Sequence, residues 1–131
     1  MLDYIRDVAC ITAYRADRGR VTNRKLMDLL KKDMLFGDGK ITRCVSMWNR
    51  KLREVFIVHI LPRPQVLRTL LNLSRKYGQD TLIYFGRVYD VASGRVLGRF
   101  TRATFYTYKP NVPYWIKITR PFHRPVYLEL S

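Results

Sequence analysis

Two strand-like runs, Thr81–Asp90 and Arg95–Tyr108, are joined by Val91-Ala92-Ser93-Gly94, and no other stretch constrains the fold as tightly. Asp90 can accept backbone hydrogen bonds inside the turn, and Gly94 can take the left-handed conformation that closes it. The segment therefore predicts a β-hairpin over 81–108. Counting back from the turn, Asp90 opposes Arg95, Tyr89 opposes Val96 and Phe85 opposes Phe100. That register puts Arg87 and Arg102 on the face of Ile83, Phe85 and Phe100, and turns Arg99 to the other.

Upstream of the hairpin the periodicity is mostly helical. Leu2, Ile5, Val8, Ala9, Thr12 and Ala13 predict an amphipathic helix over 2–16 that ends near Gly19. Thr22 is a suitable N-cap for a second helix, with Leu26, Leu29 and Leu30 on its inner side. Gly37, Asp38 and Gly39 mark a turn. In 41–55 the apolar residues Ile41, Val45, Trp48, Leu52 and Val55 recur at helical spacing, and Arg43, Ser46, Asn49, Arg50 and Arg53 occupy the opposite face. Phe56–Leu61 reads as a buried strand, broken by Pro62 and Pro64. Pro64 opens a helix over 64–77 that Gly78 ends. Tyr114–Thr119 and Val126–Leu130 are two further strands. The expected fold class is α+β in a single domain over 1–131. N-terminal helices (1–55) pack on a mainly antiparallel C-terminal β-sheet (56–131) containing the hairpin.

The charge is one-sided. The 131 residues carry a formal charge of +15, and between Val91 and Leu128 there is no Asp or Glu at all. In that stretch Arg95, Arg99, Arg102, Lys109, Lys117, Arg120 and Arg124 alternate with Phe100, Phe105, Tyr106, Tyr108, Tyr114, Trp115, Phe122 and Tyr127. An ordinary surface mixes both signs, whereas a one-signed field suits an anionic partner, phosphate above all. Arg outnumbers Lys by 17 to 8. Its planar fork grips phosphate and stacks on bases, which favours nucleic acid over a membrane surface. No apolar run is long enough for a membrane-spanning helix, and the N-terminus lacks a signal-peptide pattern, so an intracellular location is expected.

The order of two helices, a turn, a basic helix and a strand resembles winged-helix proteins of the helix-turn-helix class. The resemblance covers residues 2–61 and is carried by Val21-Thr22-Asn23-Arg24-Lys25-Leu26-Met27-Asp28-Leu29-Leu30 and by Ile41-Thr42-Arg43-Cys44-Val45-Ser46-Met47-Trp48-Asn49-Arg50-Lys51-Leu52. It implies that Arg43, Ser46, Asn49, Arg50 and Arg53 meet DNA in the major groove. The connection of about ten residues departs from the 3–4 of a compact motif. The competing reading is a surface helix whose solvated face is basic. On the hairpin, Arg87, Arg95, Arg99 and Arg102 are the candidate phosphate contacts.

Catalytic and metal patterns are weak. Cys10, Cys44, His59 and His123 match no compact zinc spacing, so no metal and no cofactor are expected. His59 reads as a core histidine. Asp28, Asp33, Asp38, Asp80 and Asp90 form no paired-carboxylate pattern of a nuclease. Cys10 and Cys44 read as buried free thiols, with a bridge as the alternative in a hyperthermophile.

The expected function is non-enzymatic nucleic-acid binding, DNA favoured over RNA, as a regulator or packaging factor. The alternative is a structural protein that self-associates through its aromatic, acid-free sheet, and the third reading is a nucleic-acid enzyme. The Arg-rich, Asn- and Gln-poor composition is similar to that of small orphan proteins of viruses that infect hyperthermophilic archaea, which implies a host-cell cytoplasmic location.

Overall fold

The computed structural model describes residues 8–34, 40–101, 103–119 and 124–131. Its elements in chain order are β1 (Ala9–Ile11), α1 (Arg20–Asp33), β2 (Lys40–Trp48), β3 (Lys51–His59), α2 (Pro64–Lys76), β4 (Thr81–Tyr84), β5 (Arg87–Asp90), β6 (Val96–Arg99), β7 (Ala103–Tyr106), β8 (Trp115–Ile118) and β9 (Val126–Leu130). The strands form one nine-stranded antiparallel sheet in the order β6-β5-β4-β1-β3-β2-β8-β9-β7.

This overturns the expected α+β arrangement of N-terminal helices on a C-terminal sheet. The sheet runs through the whole chain, and its centre is built from the N-terminal half. Residues 41–55, expected as a helix, are most of the β2–β3 hairpin. Trp48 pairs with Lys51 across a two-residue loop, Asn49-Arg50, whose φ angles are 48° and 62°. Positive φ at both central residues is what a type I′ turn requires, and its twist matches that of the flanking strands. The helical spacing is a coincidence, because the apolar stripe joins residues of two strands on either side of a turn. In 2–16, residues 2–7 lie outside the described residues, and Ala9–Ile11 form a fully buried strand between β3 and β4.

α2 forms where the sequence places it, whereas α1 starts after Gly19 and not at Thr22, and Leu29, expected on its inner side, is exposed. Asn23 is buried in α1, where it accepts from the Arg15 amide at 2.9 Å and donates to the carbonyls of Arg15 and Arg18. It thereby fixes the loop that enters the helix. Pro64 stands at the start of α2, and Gly78, with φ 70°, follows its end. Tyr84 begins a second two-residue loop, Phe85-Gly86, again with both φ positive, so Thr81–Asp90 is itself a hairpin (β4–β5) and not one long strand. Arg95–Tyr108 is likewise divided into β6, which pairs with β5, and β7, which pairs with β9, so the expected 81–108 hairpin is formed only by β5 and β6.

Two apolar clusters lie on opposite faces of the sheet. On one face, Met27, Leu30, Leu70 and Leu71 of the helices pack on Ala9, Ile11, Phe56, Val58, Leu82 and Tyr84. Full burial of a side chain such as Phe56 or Leu70 contributes roughly 1.5–3 kcal/mol. On the other face, Cys10, Cys44, Val55, Ile57 and Ile83 meet Ile116 of β8 and Leu128 of β9, with Phe100 and Phe105 packed alongside. Residues from the two halves of one sheet can share one cluster on one face only if the sheet curls around it. The chain itself joins the curl. The Phe100 amide donates to the Gly86 carbonyl at 2.8 Å, and the next amide, Thr101, donates to Ser131 at 3.0 Å. Phe100–Thr101 thus steps from one end of the strand order to the other. Among the described residues, no helix is long and apolar enough to cross a membrane.

Candidate nucleic-acid interface

β4 and β5 give Leu82, Ile83, Tyr84 and Tyr89 to the core, and beyond them the sheet ends in β6, an exposed edge strand. Asp90 builds its turn as the sequence predicts. Ser93 donates to Asp90 Oδ2 from its amide at 3.2 Å and from its hydroxyl at 2.6 Å, while the Gly94 amide reaches the Asp90 carbonyl at 2.7 Å. Gly94 has φ 73°. Tyr89 pairs with Val96, also as predicted, but the register then shifts by one between Val88 and Tyr89. Leu97 is the extra residue of a β-bulge. Val88 faces Gly98 and Arg87 faces Arg99.

The shift changes which cations act together. Instead of pointing to opposite faces, Arg87 and Arg99 stand directly opposite one another, both exposed, with exposed Arg95 at the end of the turn. Among the described residues, none of the three makes an ion pair with a carboxylate. Arg102 lies outside the described residues.

The five cations and polar residues assigned to one helix face are scattered by the β2–β3 hairpin. Arg43 is tied to Glu54 and, at 3.1 Å, to Asp28 of α1, so its charge is already answered. Asn49 and Arg50 form the exposed turn, where the Arg50 amide donates to the Pro113 carbonyl at 3.2 Å. Ser46 and Arg53 pair across the strands and point into the curl of the sheet, on the side of Cys44 and Val55.

A second basic and aromatic surface gathers residues of the acid-free stretch. Val45, Lys117, Tyr127 and Tyr106 form one row across β2, β8, β9 and β7. They lie on the face opposite Ile116, Leu128 and Phe105, away from the curled core. Lys117 Nζ lies 6.0 Å from the Tyr127 ring centre, and Lys109 Nζ 5.9 Å from that of Trp115. Glu129 accepts from the Tyr106 hydroxyl at 2.8 Å, and Tyr108 is 65% exposed. The alternation of side chains in β8 and β9 was the available signal. Of the aromatics in the acid-free stretch, Phe100, Phe105 and Trp115 serve packing.

His59 is held below its usual pKa, first by burial and then by the Lys40 charge. Among the described residues, no three His, Cys, Asp or Glu side chains come together as metal ligands would. No protein-family model matches the chain, and no curated protein does.

Proposed function

We propose that the protein binds nucleic acid without acting on it chemically, gripping the phosphate backbone with the β5–β6 ribbon. The observation that carries this reading is the pairing of Arg87 with Arg99. Like charges placed directly opposite on a sheet destabilise it. Here no acid among the described residues relieves them, whereas a phosphate between the two guanidinium groups would. Arg95 extends the strip, and Arg50 at the tip of the β2–β3 turn supplies a further outer cation. Base reading through a helix 41–55 falls away with that helix. What remains is backbone binding, with duplex DNA as the favoured ligand.

Fluorescence-anisotropy titration with random duplex DNA, single-stranded DNA and duplex RNA at two salt concentrations tests the reading. Binding falls steeply with salt, and Arg87→Ala/Arg99→Ala lowers the log–log salt slope by about two. No binding at low salt to any of the three ligands would overturn it.

A second reading has one observation in its favour. β6 is an edge strand with Val96 49% and Leu97 64% exposed, a template onto which a second copy could add a strand. Sedimentation of the protein alone separates the two: a dimer that Leu97→Lys dissolves supports assembly.

A further inference from the structure

Ser46 and Arg53 have been turned inward, and there they meet an unusual environment. Ser46 is buried and pairs in register with Arg53. The Ser46 hydroxyl and Arg53 Nε are both sealed from solvent, and neither has a hydrogen-bond partner among the described residues. Both line a cavity of about 20 Å³ inside the curl, together with Cys10, Trp48 and Ile116. A volume of that size takes an occupant of water dimensions or a single ligand oxygen. Burial pulls the Arg53 pKa down to about 10, and the nearby Cys10 acts weakly the other way. The guanidinium sits over the Trp48 ring at 4.9 Å, a cation–π contact that holds it in place but supplies no anion.

Arg53 is half-buried with its Nε sealed, and a cation partly removed from water without an anion is costly. The cavity also has an approach. Trp48, Arg53 and Thr81 line both it and an outer cleft of about 490 Å³, which Tyr14, Arg15, Asp17, Lys51 and Asp80 complete. Arg15 and Asp17 cancel one another through hydrogen bonds of 2.9 and 2.7 Å. Lys51 and Arg53 then stand against Asp80 alone, and the cleft keeps a net positive charge.

From these positions we infer that the curled sheet holds a phosphate-binding site, in which one phosphate oxygen enters the inner cavity between Arg53 and Ser46 and the remaining oxygens face Lys51 in the outer cleft. A guanidinium N–H and a hydroxyl are both donors, so together they suit an acceptor that donates nothing back. The size of the inner cavity admits an oxygen and excludes the whole group. Inorganic phosphate and phosphate monoesters carry at least three free oxygens, one for the cavity and two or more for Lys51, and are the ligand class this arrangement suits. This site is separate from the outer Arg87–Arg99 strip and does not depend on that reading.

The test is thermal unfolding of the full chain at constant ionic strength, titrated with inorganic phosphate, adenosine monophosphate, acetate or chloride. Phosphate raises the melting temperature saturably, by roughly 10 °C at a hundredfold excess over Kd, while chloride and acetate at matched ionic strength do not. A larger response to adenosine monophosphate than to inorganic phosphate assigns the outer cleft to the rest of a monoester; equal responses assign the site to the free ion. Arg53→Met melts higher than the parent in phosphate-free buffer and loses the phosphate response. Ser46→Ala, a smaller change, keeps the fold and weakens the response by about tenfold in phosphate concentration. Arg87→Ala/Arg99→Ala leaves the response intact. The inference is overturned if chloride acts as well as phosphate, if Ser46→Ala and Arg53→Met respond like the parent, or if the outer double variant alone abolishes the effect.

Discussion

Arg87 faces Arg99 across β5 and β6 because Leu97 is left out of the pairing, and this sets two exposed arginines, without an ion pair among the described residues, directly opposite one another. Stability and binding should therefore respond in opposite directions to one substitution. Arg99→Glu replaces a like-charged cross-strand pair with an opposite one, a gain of about 0.5–1 kcal/mol. The same change removes a phosphate contact and adds repulsion, so the salt slope of DNA binding falls by at least about one. Urea denaturation and anisotropy titration of a single variant read both effects. Loss of stability together with unchanged binding would show that the two arginines do not act as a pair.

Arg50 occupies the left-handed region with φ 62° at the second position of the Asn49-Arg50 turn. A side chain there costs roughly 1–2 kcal/mol that glycine does not incur. Arg50→Gly should raise the unfolding free energy by about 1 kcal/mol. Because the Arg50 side chain is also an outer cation, affinity for all nucleic-acid sequences should fall alike. A destabilised Arg50→Gly variant in urea would contradict the turn geometry.

That turn marks where sequence reading stops. Pro64, Gly78, Asp90 and Gly94 declare their roles locally, since each acts within a few residues of itself, and the helix and turn that they bound are where the sequence puts them. The β2–β3 hairpin is different. Its inner residues Cys44, Ser46, Arg53 and Val55 include two polar groups, and its outer residues Val45 and Leu52 are apolar and exposed. The alternation that betrays a strand is thereby erased. Asn49-Arg50 has no glycine to announce a type I′ turn. The bulge at Leu97 is equally silent, and a one-residue slip reverses which face a side chain takes. For that reason Arg87, Arg95 and Arg99 fall on the β5–β6 ribbon as the hairpin predicts, while the pairing of Arg87 with Arg99 does not follow from the sequence. The inner Arg53–Ser46 site depends on the curl of the whole sheet, which no local pattern encodes.

The C-terminal ends of the two helices are joined by Asp33, which accepts from the Tyr77 hydroxyl at 2.6 Å and from Lys76 at 2.9 Å. The Tyr77 hydrogen bond, followed by that of Lys76, holds the Asp33 carboxyl below its ordinary 3.8. Burial, followed by the bond to Asp33, pushes the Tyr77 phenol up to about 12. A lowered carboxyl pKa stabilises the fold fully above the unfolded value, and the benefit is lost as pH falls through the folded one. A raised phenol pKa stabilises fully below 10.0, and the benefit is lost as pH rises towards about 12. The stability difference between the parent and Tyr77→Phe should be flat through neutral pH, shrinking below about pH 4 and again above about pH 10. A difference independent of pH would show that the hydroxyl and the carboxylate are not coupled.

Cys10 and Cys44 lie on β1 and β2, the two strands that flank β3. Cys10 pairs with Ile57 and Cys44 with Val55, so two strand spacings plus a two-residue offset put their backbones more than about 9–10 Å apart, beyond the ~7 Å over which a disulfide can close. Both are free, buried thiols. Burial, with a smaller push from Cys44, raises the Cys10 pKa to about 12, and burial raises that of Cys44 to about 11. Since the thiolate is the reactive form, neither should exchange with an aromatic disulfide reagent in the native protein at mildly alkaline pH. Both should react within minutes in denaturant, and oxidation of the native chain should leave its mass unchanged. An internal bridge detected by mass spectrometry under native conditions would require β3 to leave its place between the two strands, and would refute the strand order at the centre of the sheet.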